Sequence, residues 1–333
     1  MKNKWKIILA SGAEHLKGSL HDKGYSVFMS DVNYDGNRFF YNGDLYTRLA
    51  RLEDLQHHPV CVIQSGTYSS ADAKEKFTPQ DRIFETLQIL RLLQHPTSVS
   101  KVGHKEYKYA PIDPPSKVVL LLTYMPCGKQ DHAVRTGESV SALVVLELCF
   151  AYCPQIAIID PHPWKVAWFR TLKAQGNLIK LSMVPYLLEE IKERFPDARL
   201  LAPDEGAQAR LGLNGFGKKR KNSVQSELIG EVYVKGEHVV FIDDMILTGG
   251  TLLRTREKML KEGVEMFAFA ATHALPLMSG EDNLQRVVDT LGENLLVTNT
   301  VPSKTFVKHY PDVTLDCTDL IHKFLQSDKF SDT

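Results

Sequence analysis

No apolar run in this chain of 333 residues approaches the roughly 20 residues that a membrane-spanning helix needs. The N-terminal stretch MKNKWKIILASG has an apolar run too short for the core of a secretory signal. Neither sign of charge is in excess, with 40 Lys plus Arg against 40 Asp plus Glu. That balance argues against a general nucleic-acid or acidic-membrane partner, so any polyanion site has to be local. Cysteine is sparse and unpatterned. The five, Cys61, Cys127, Cys149, Cys153 and Cys317, form no CxxC pair and no His-interleaved metal pattern, and their odd number excludes a complete disulfide framework. They read as reduced thiols, and a cytoplasmic location is expected. What is present is a 43% hydrophobic chain, long enough to fill two cores and therefore two domains.

Short apolar runs recur along it: WKIILASG, PVCVIQSG, KVVLLLTYMP, PQIAIIDPH, ARLLAPDEG, HVVFIDD, MFAFAATH and LLVTNTVP. Each is bounded by Gly, Pro or Asp and rich in β-branched residues, and a near-continuous run suits a strand covered on both faces. Helix patterns lie between them. Thr78 and Pro79 supply a cap and a first-turn proline before Ile83, Leu87 and Leu90. Leu252, Leu253, Met259 and Leu260 form another apolar face, which ends at Gly263. Alternation of this kind predicts an α/β fold with mostly parallel sheets flanked by helices, whose ligands bind beyond the carboxyl ends of the strands. Gly66, Pro126, Asp160, Pro203, Asp204, Asp243, Asp244, Thr272, His273 and Thr300 all fall at such ends.

Residues 239–252, VVFIDDMILTGGTL, are the most informative of these ends. A buried strand delivers Asp243 and Asp244 to its rim, and Thr248, Gly249, Gly250 and Thr251 then turn into a helix. Free N–H groups at a helix N-terminus bind phosphate, and the threonine hydroxyls add donors. Carboxylates so near a phosphate would repel it unless they hold sugar hydroxyls or a metal. The pieces together describe a site for ribose 5-phosphate, with phosphate in the turn and the 2- and 3-hydroxyls on the aspartates. A side chain at Gly250 is expected to block the phosphate and to meet a dihedral unsuited to it. The plainer alternative is a strand end with two solvated acids and an ordinary start of a helix.

This stretch resembles the phosphoribosyl-pyrophosphate loop shared by type I phosphoribosyltransferases and ribose-phosphate pyrophosphokinases. The remaining motifs are similar to those of the second family. MPCGKQDHAVRTGESVSA (125–142) resembles its YARQD…GEPIS segment, with Lys129 in place of the arginine and Gln130 and Asp131 retained. IIDPH resembles DLH, LAPDEGA resembles SPDxGG, and GFGKKRKN resembles the KxR of a mobile catalytic loop. FYNGDLYTRL matches the FxDGE adenine segment, and VTNTVP closes the pattern near the C-terminus. The matches run from Phe40 to Pro302 in the family's order. Outside that context KKRK would read as a solvated charge run, and a lone His162 as structural.

The resemblance implies two similar type I phosphoribosyltransferase-like domains, placed here at 1–155 and 156–333. It implies transfer of the β,γ-diphosphoryl group of ATP to the anomeric hydroxyl of ribose 5-phosphate, with Mg²⁺ as cofactor and AMP as the second product. Lys218 and Arg220 would act in catalysis. Phe40, Asn42, Asp44, Lys129, Gln130, Asp131 and His162 would bind ATP, with His162 and Asp204 at the metal. Asp243, Asp244, Thr248, Gly249, Gly250 and Thr251 would bind ribose 5-phosphate. The family borrows its adenine segment from a neighbouring subunit, so a homodimer or higher homo-oligomer is expected, with no nucleic acid or membrane partner. The chain departs from the family in four places. Leu247 stands where many members carry a third aspartate, and Asn42 and Asp44 replace Asp and Glu of the adenine segment. The stretch from Asp204 to Lys218 is short by about a helical turn, and His95 to Lys117 reads as an insertion. A larger acceptor such as ADP-ribose, a non-catalytic phosphoribosyl-binding role and, more weakly, a phosphoribosyltransferase stand as alternatives.

Overall fold

The computed structural model describes residues 4–203, 207–208, 217–220, 226–229 and 234–327. The chain forms two compact units, one of Met1–Ser69, Lys74–Leu181 and Thr318–Thr333, the other of Ser70–Ala73 and Ser182–Cys317.

In the first unit six strands make one parallel sheet: β1 (Lys6–Leu9), β2 (Ser26–Met29), β3 (Pro59–Ser65), β6 (Lys117–Tyr124), β7 (Ile156–Ile159) and β8 (Leu178–Leu181), in the order β2-β1-β3-β6-β7-β8. The central strands are apolar throughout because both faces are covered. On one face Val60, Val62, Leu120 and Leu122 pack with Ile89, Leu90 and Leu93 of α2 (Pro79–Gln94) and with Val145 and Leu146 of α3 (Ser141–Phe150). The alternate residues Cys61, Ile63, Val119 and Leu121 are equally buried. The expected cap of α2 is a complete capping box, in which Thr78 Oγ1 accepts from the Asp81 N–H and Asp81 accepts from the Thr78 N–H, followed by Pro79.

The division expected at residue 155 falls after Leu181. β7 pairs with β6, and β8 with β7, so a cut at 155 would expose a paired sheet edge. The C-terminal helix α8 (Thr318–Leu325) also belongs to this unit, where Asp319 pairs with Lys23 and His322 Nδ1 lies 2.9 Å from Tyr25 Oη. The segment read as an insertion is an antiparallel hairpin of β4 (Thr97–Gly103) and β5 (Glu106–Pro111), exposed along most of its length.

The second unit is built on a five-stranded parallel sheet, β15-β14-β13-β12-β9, from β9 (Arg199–Leu201), β12 (His238–Ile246), β13 (Met266–Ala274), β14 (Leu295–Thr298) and β15 (Thr314–Leu315). Alternate residues of β12 serve opposite faces. Val239 and Phe241 pack with Leu252 and Met259 of α6 (Gly250–Lys261) and with Leu284 and Val287 of α7 (Asp282–Leu291). Val240 and Ile242 pack with Leu187 and Ile191 of α5 (Val184–Arg194). On α6 the expected apolar face is narrower than its periodicity suggests, since Leu260 is exposed. A separate antiparallel pair, β10 (Gly217–Arg220) and β11 (Ser226–Ile229), carries the basic motif.

Candidate functional site

In the second unit, β12 runs beyond its neighbour β9 and carries two carboxylates near its end. Asp244 is buried and Asp243 half-buried, and Asp243 Oδ1 accepts the N–H of Asp244 at 2.8 Å. The chain then passes through Leu247 and Thr248 into α6. Gly249 is the residue that reverses it, with a left-handed φ of +71° at the N-cap. Its carbonyl accepts the N–H of Leu253 at 3.0 Å, so the amides of Gly250, Thr251 and Leu252 precede the first intrahelical bond. Among the described residues the Gly250 N–H meets only the Thr248 hydroxyl, at a long 3.4 Å. The first turn of α6 holds no acidic residue. The result is a row of available donors at the positive end of a helix, as an anion requires.

The steric demand on this turn differs from the sequence expectation. Gly250 begins the helix without a positive φ, and the nearest atom to a Cβ placed there would be Arg254 Nη1 at 3.3 Å, the mobile end of a side chain. A Cβ at Gly249 would lie 2.5 Å from Val287 Cγ2, and the residue is left-handed as well. Glycine is therefore demanded at 249, because α7 packs directly beneath it.

α7 also holds the turn through polar contacts. Asn283 donates from Nδ2 to the carbonyls of Leu247 and, at 3.1 Å, of Leu275. Arg286 donates from Nη2 to the Thr248 carbonyl at 2.9 Å. Glu281, just before α7, accepts from the Ser303 hydroxyl and from the N–H groups of Ala71, Lys304 and Thr305 at 2.7 to 3.1 Å. Burial pushes the Glu281 carboxyl upward, but these donors outweigh it and hold it below the usual carboxylate range. At the ends of β13 and β14, Thr298 and Thr300 donate to the Thr272 carbonyl at 2.7 and 3.1 Å, and His273 Nδ1 lies 2.9 Å from Thr300 Oγ1. Asn283 and Arg286 were missed by sequence reasoning, since they lie more than thirty residues beyond the loop they support, and Glu281 was missed because its partners come from Ala71 and from 303–305. Arg254 sits four residues past Gly250, and that helical spacing could have marked it.

The first unit brings together a second set. After β6, Cys127 turns the chain with φ +58°, and its carbonyl accepts the Gln130 N–H at 2.9 Å. Gln130 is tied to the start of α3, its carbonyl accepting from Ala142 N–H and its Oε1 from the Ser141 hydroxyl at 2.6 Å. Asp131 is buried, 2.6 Å from His132 Nδ1, and its carbonyl accepts from Trp168 Nε1 at 2.9 Å. Lys129 stays exposed. β7 delivers His162 to the same place, where its Cβ would be 3.7 Å from a Cβ on Gly128. Lys129, Gln130, Asp131 and His162 thus share one sheet edge, and His162 belongs to the first unit, not the second as expected.

Phe40, Asn42 and Asp44 form a tight turn of their own. Phe40 donates its N–H to the Asp44 carbonyl, and Asn42 Nδ2 donates to Asp44 Oδ2 at 2.7 Å. Phe40 is 45% exposed and edge-on to Tyr46, so it is not a core aromatic. Lys218 and Arg220 lie on β10, in register with Leu228 and Ser226. Asp204 lies outside the described residues.

No protein-family model matches the chain. Curated proteins do. The ribose-phosphate pyrophosphokinase of Pyrococcus furiosus is 27% identical over 307 residues, 89% of this chain and 94% of that protein. That of Thermococcus kodakarensis is 27% identical over 308 residues, with the same coverage of 89% and 94%. The fold is that of the crystal structure of phosphoribosylpyrophosphate synthetase from Mycobacterium smegmatis, with a TM-score of 0.69, 20% identity and 98% of both chains covered.

Proposed function

We infer that the chain, a divergent homologue of ribose-phosphate pyrophosphokinases, transfers the diphosphoryl group of ATP to the anomeric hydroxyl of ribose 5-phosphate, giving phosphoribosyl pyrophosphate and AMP. The observation that carries this reading is the end of β12, where two aspartates precede a helix N-terminus with unfilled amides and no acid in its first turn. The 5-phosphate occupies the turn of Thr248, Gly249, Gly250 and Thr251. Asp243 and Asp244 take the sugar hydroxyls, which orients the anomeric oxygen for attack on the β-phosphorus.

Lys129, Gln130, Asp131 and His162 bind ATP, with Phe40, Asn42 and Asp44 at its base. In the transfer the anomeric oxygen bonds to the β-phosphorus, the bond to the α-phosphate oxygen breaks, and AMP departs with that oxygen. The proton of the anomeric hydroxyl passes to solvent as the new bond forms. Charge builds on the oxygens around the β-phosphorus, and Lys218 and Arg220 neutralise it, Lys as a point charge and Arg as a bidentate fork. Asp204 would offer Mg²⁺ the oxygen ligand it prefers, and His162 would act on the ion through bound water. Among the described residues no group of three or more His, Cys, Asp or Glu could hold a metal. When bound, Mg²⁺ would supply neutralisation and alignment of the phosphate oxygens.

Mass spectrometry of products from ATP, Mg²⁺ and a panel of ribose 5-phosphate compounds tests the reaction. AMP and phosphoribosyl pyrophosphate in equal amounts are expected with ribose 5-phosphate. AMP formed only with ADP-ribose would transfer the activity to the larger acceptor, a change that Leu247 in place of an acid would favour. No AMP with any acceptor would leave a binding role alone.

The exposed Phe40 ring supports assembly, because an aromatic face free of the core can stack on an adenine held by another subunit while Asn42 reads its edge. A homodimer or larger homo-oligomer is expected by sedimentation at the concentrations where activity is full. A fully active monomer at nanomolar concentration would overturn that assembly. Among the described residues no helix is long and apolar enough to cross a membrane.

A further inference from the structure

Two guanidinium groups gather at the ribose turn, where helix electrostatics alone would exclude them. Arg254 lies on α6 but points back toward its beginning, so that Nη1 is 3.3 Å from a Cβ placed on Gly250. Arg286 comes from α7 and spends one of its five N–H donors on the Thr248 carbonyl, at 2.9 Å. Neither forms an ion pair with a carboxylate among the described residues. A cation at a helix N-terminus opposes the macrodipole, and two of them beside unfilled amides are held there at a cost unless an anion joins them. Residue 247 is Leu, so no carboxylate at that position competes for them.

An independent feature of the same turn also lacks its complement. Asn283 is 8% exposed, and while its Nδ2 grips the Leu247 carbonyl, its Oδ1 is buried with no hydrogen-bond donor among the described residues. A buried acceptor left open is costly, and a hydroxyl or water arriving with a ligand completes it.

We propose that Arg254 and Arg286 are the side-chain cations of the 5-phosphate site and set its specificity for the dianion, Arg254 by direct contact and Arg286 by contact and by fixing the Thr248 carbonyl. The proposal deepens the reading of this turn as a ribose 5-phosphate site. Because both cations act on charge, affinity should fall with added salt, and it should fall below about pH 6 as the phosphate takes up its second proton.

The test is calorimetric titration of the full chain with ribose 5-phosphate and, separately, with inorganic phosphate. It compares the wild type with Arg254→Met, Arg286→Met, the double variant and Arg286→Lys. Lys261→Ala, at the far exposed end of α6, controls for net charge. Each Met variant should weaken both ligands about tenfold and the double variant about a hundredfold, the loss of charge-assisted bonds. Lys at 286 should restore part of that loss. In turnover the KM for ribose 5-phosphate should rise while kcat at saturation changes little, a split that general unfolding would not produce. Wild-type affinity in the double variant overturns the proposal and leaves the proposed reaction standing. A wild type that ignores ribose 5-phosphate, but whose inorganic phosphate binding drops in the variants, sinks the proposed reaction and keeps the anion site. Binding of neither ligand by the wild type overturns both.

Discussion

Gly249→Val should abolish ribose 5-phosphate binding, with a loss of about a hundredfold or more, while ATP binding by the first unit survives. A β-branched residue in the left-handed region is strained by about 1–3 kcal/mol. The new Cβ would in addition lie 2.5 Å from Val287 Cγ2, deep in the packing between α6 and α7, and such overpacking costs about another 1–3 kcal/mol. The strain is relieved by moving the turn, and moving the turn misaligns every amide that faces the phosphate. Gly250→Ala should be mild by comparison, since only the end of the Arg254 side chain has to give way. Asp244→Asn should be intermediate, because a charge-assisted bond worth about 1.5–3 kcal/mol becomes an ordinary one while the backbone is unchanged. Separate titrations of each variant with ATP and with ribose 5-phosphate decide the order. Retained ribose 5-phosphate affinity in Gly249→Val would mean that the turn serves only to start a helix.

Lys218→Ala should lower kcat by about a hundredfold or more and leave the KM for ATP within a small factor. In the proposed mechanism Lys218 meets charge that exists only as the diphosphoryl group transfers, so its removal would be felt in the transition state and little in the ground state. Steady-state kinetics with ATP and ribose 5-phosphate varied in turn provide the check. A matching loss of nucleotide affinity would make Lys218 a binding residue, and an unchanged rate would remove it from the mechanism. Backbone pairing sets it on β10 opposite Leu228 of β11, in an antiparallel pair separate from the five-stranded sheet.

Much of this molecule is written locally. The eight apolar runs are all strands of the two parallel sheets, because a strand covered on both faces must be apolar at consecutive positions, and that signature is contiguous. The strands that escaped notice are edges or short pairs. Ser26–Met29 and Leu178–Leu181 flank the first sheet half-exposed, and the β4–β5 hairpin is exposed along nearly all its length, so none of them needs a continuous apolar run. The acids and the glycine turn were legible for the same reason as the central strands, since one strand end and one helix start are adjacent in the chain.

What the sequence determined by itself was therefore the alternation of strands and helices, the rim on which Asp243 and Asp244 stand, and the turn that follows them. Only the tertiary structure decided that Gly249, and not Gly250, is the glycine the turn cannot lose, because that depends on Val287 arriving from α7. It likewise decided that Asn283 and Arg286 brace the turn, that His162 stands beside Gly128 in the first unit, and that the chain divides at Leu181 and returns with α8. Burial periodicity and backbone conformation are encoded in neighbouring residues. Which helix packs beneath a turn, and which strand pairs at a sheet's edge, depend on contacts between segments tens of residues apart, and those exist only once the chain has folded.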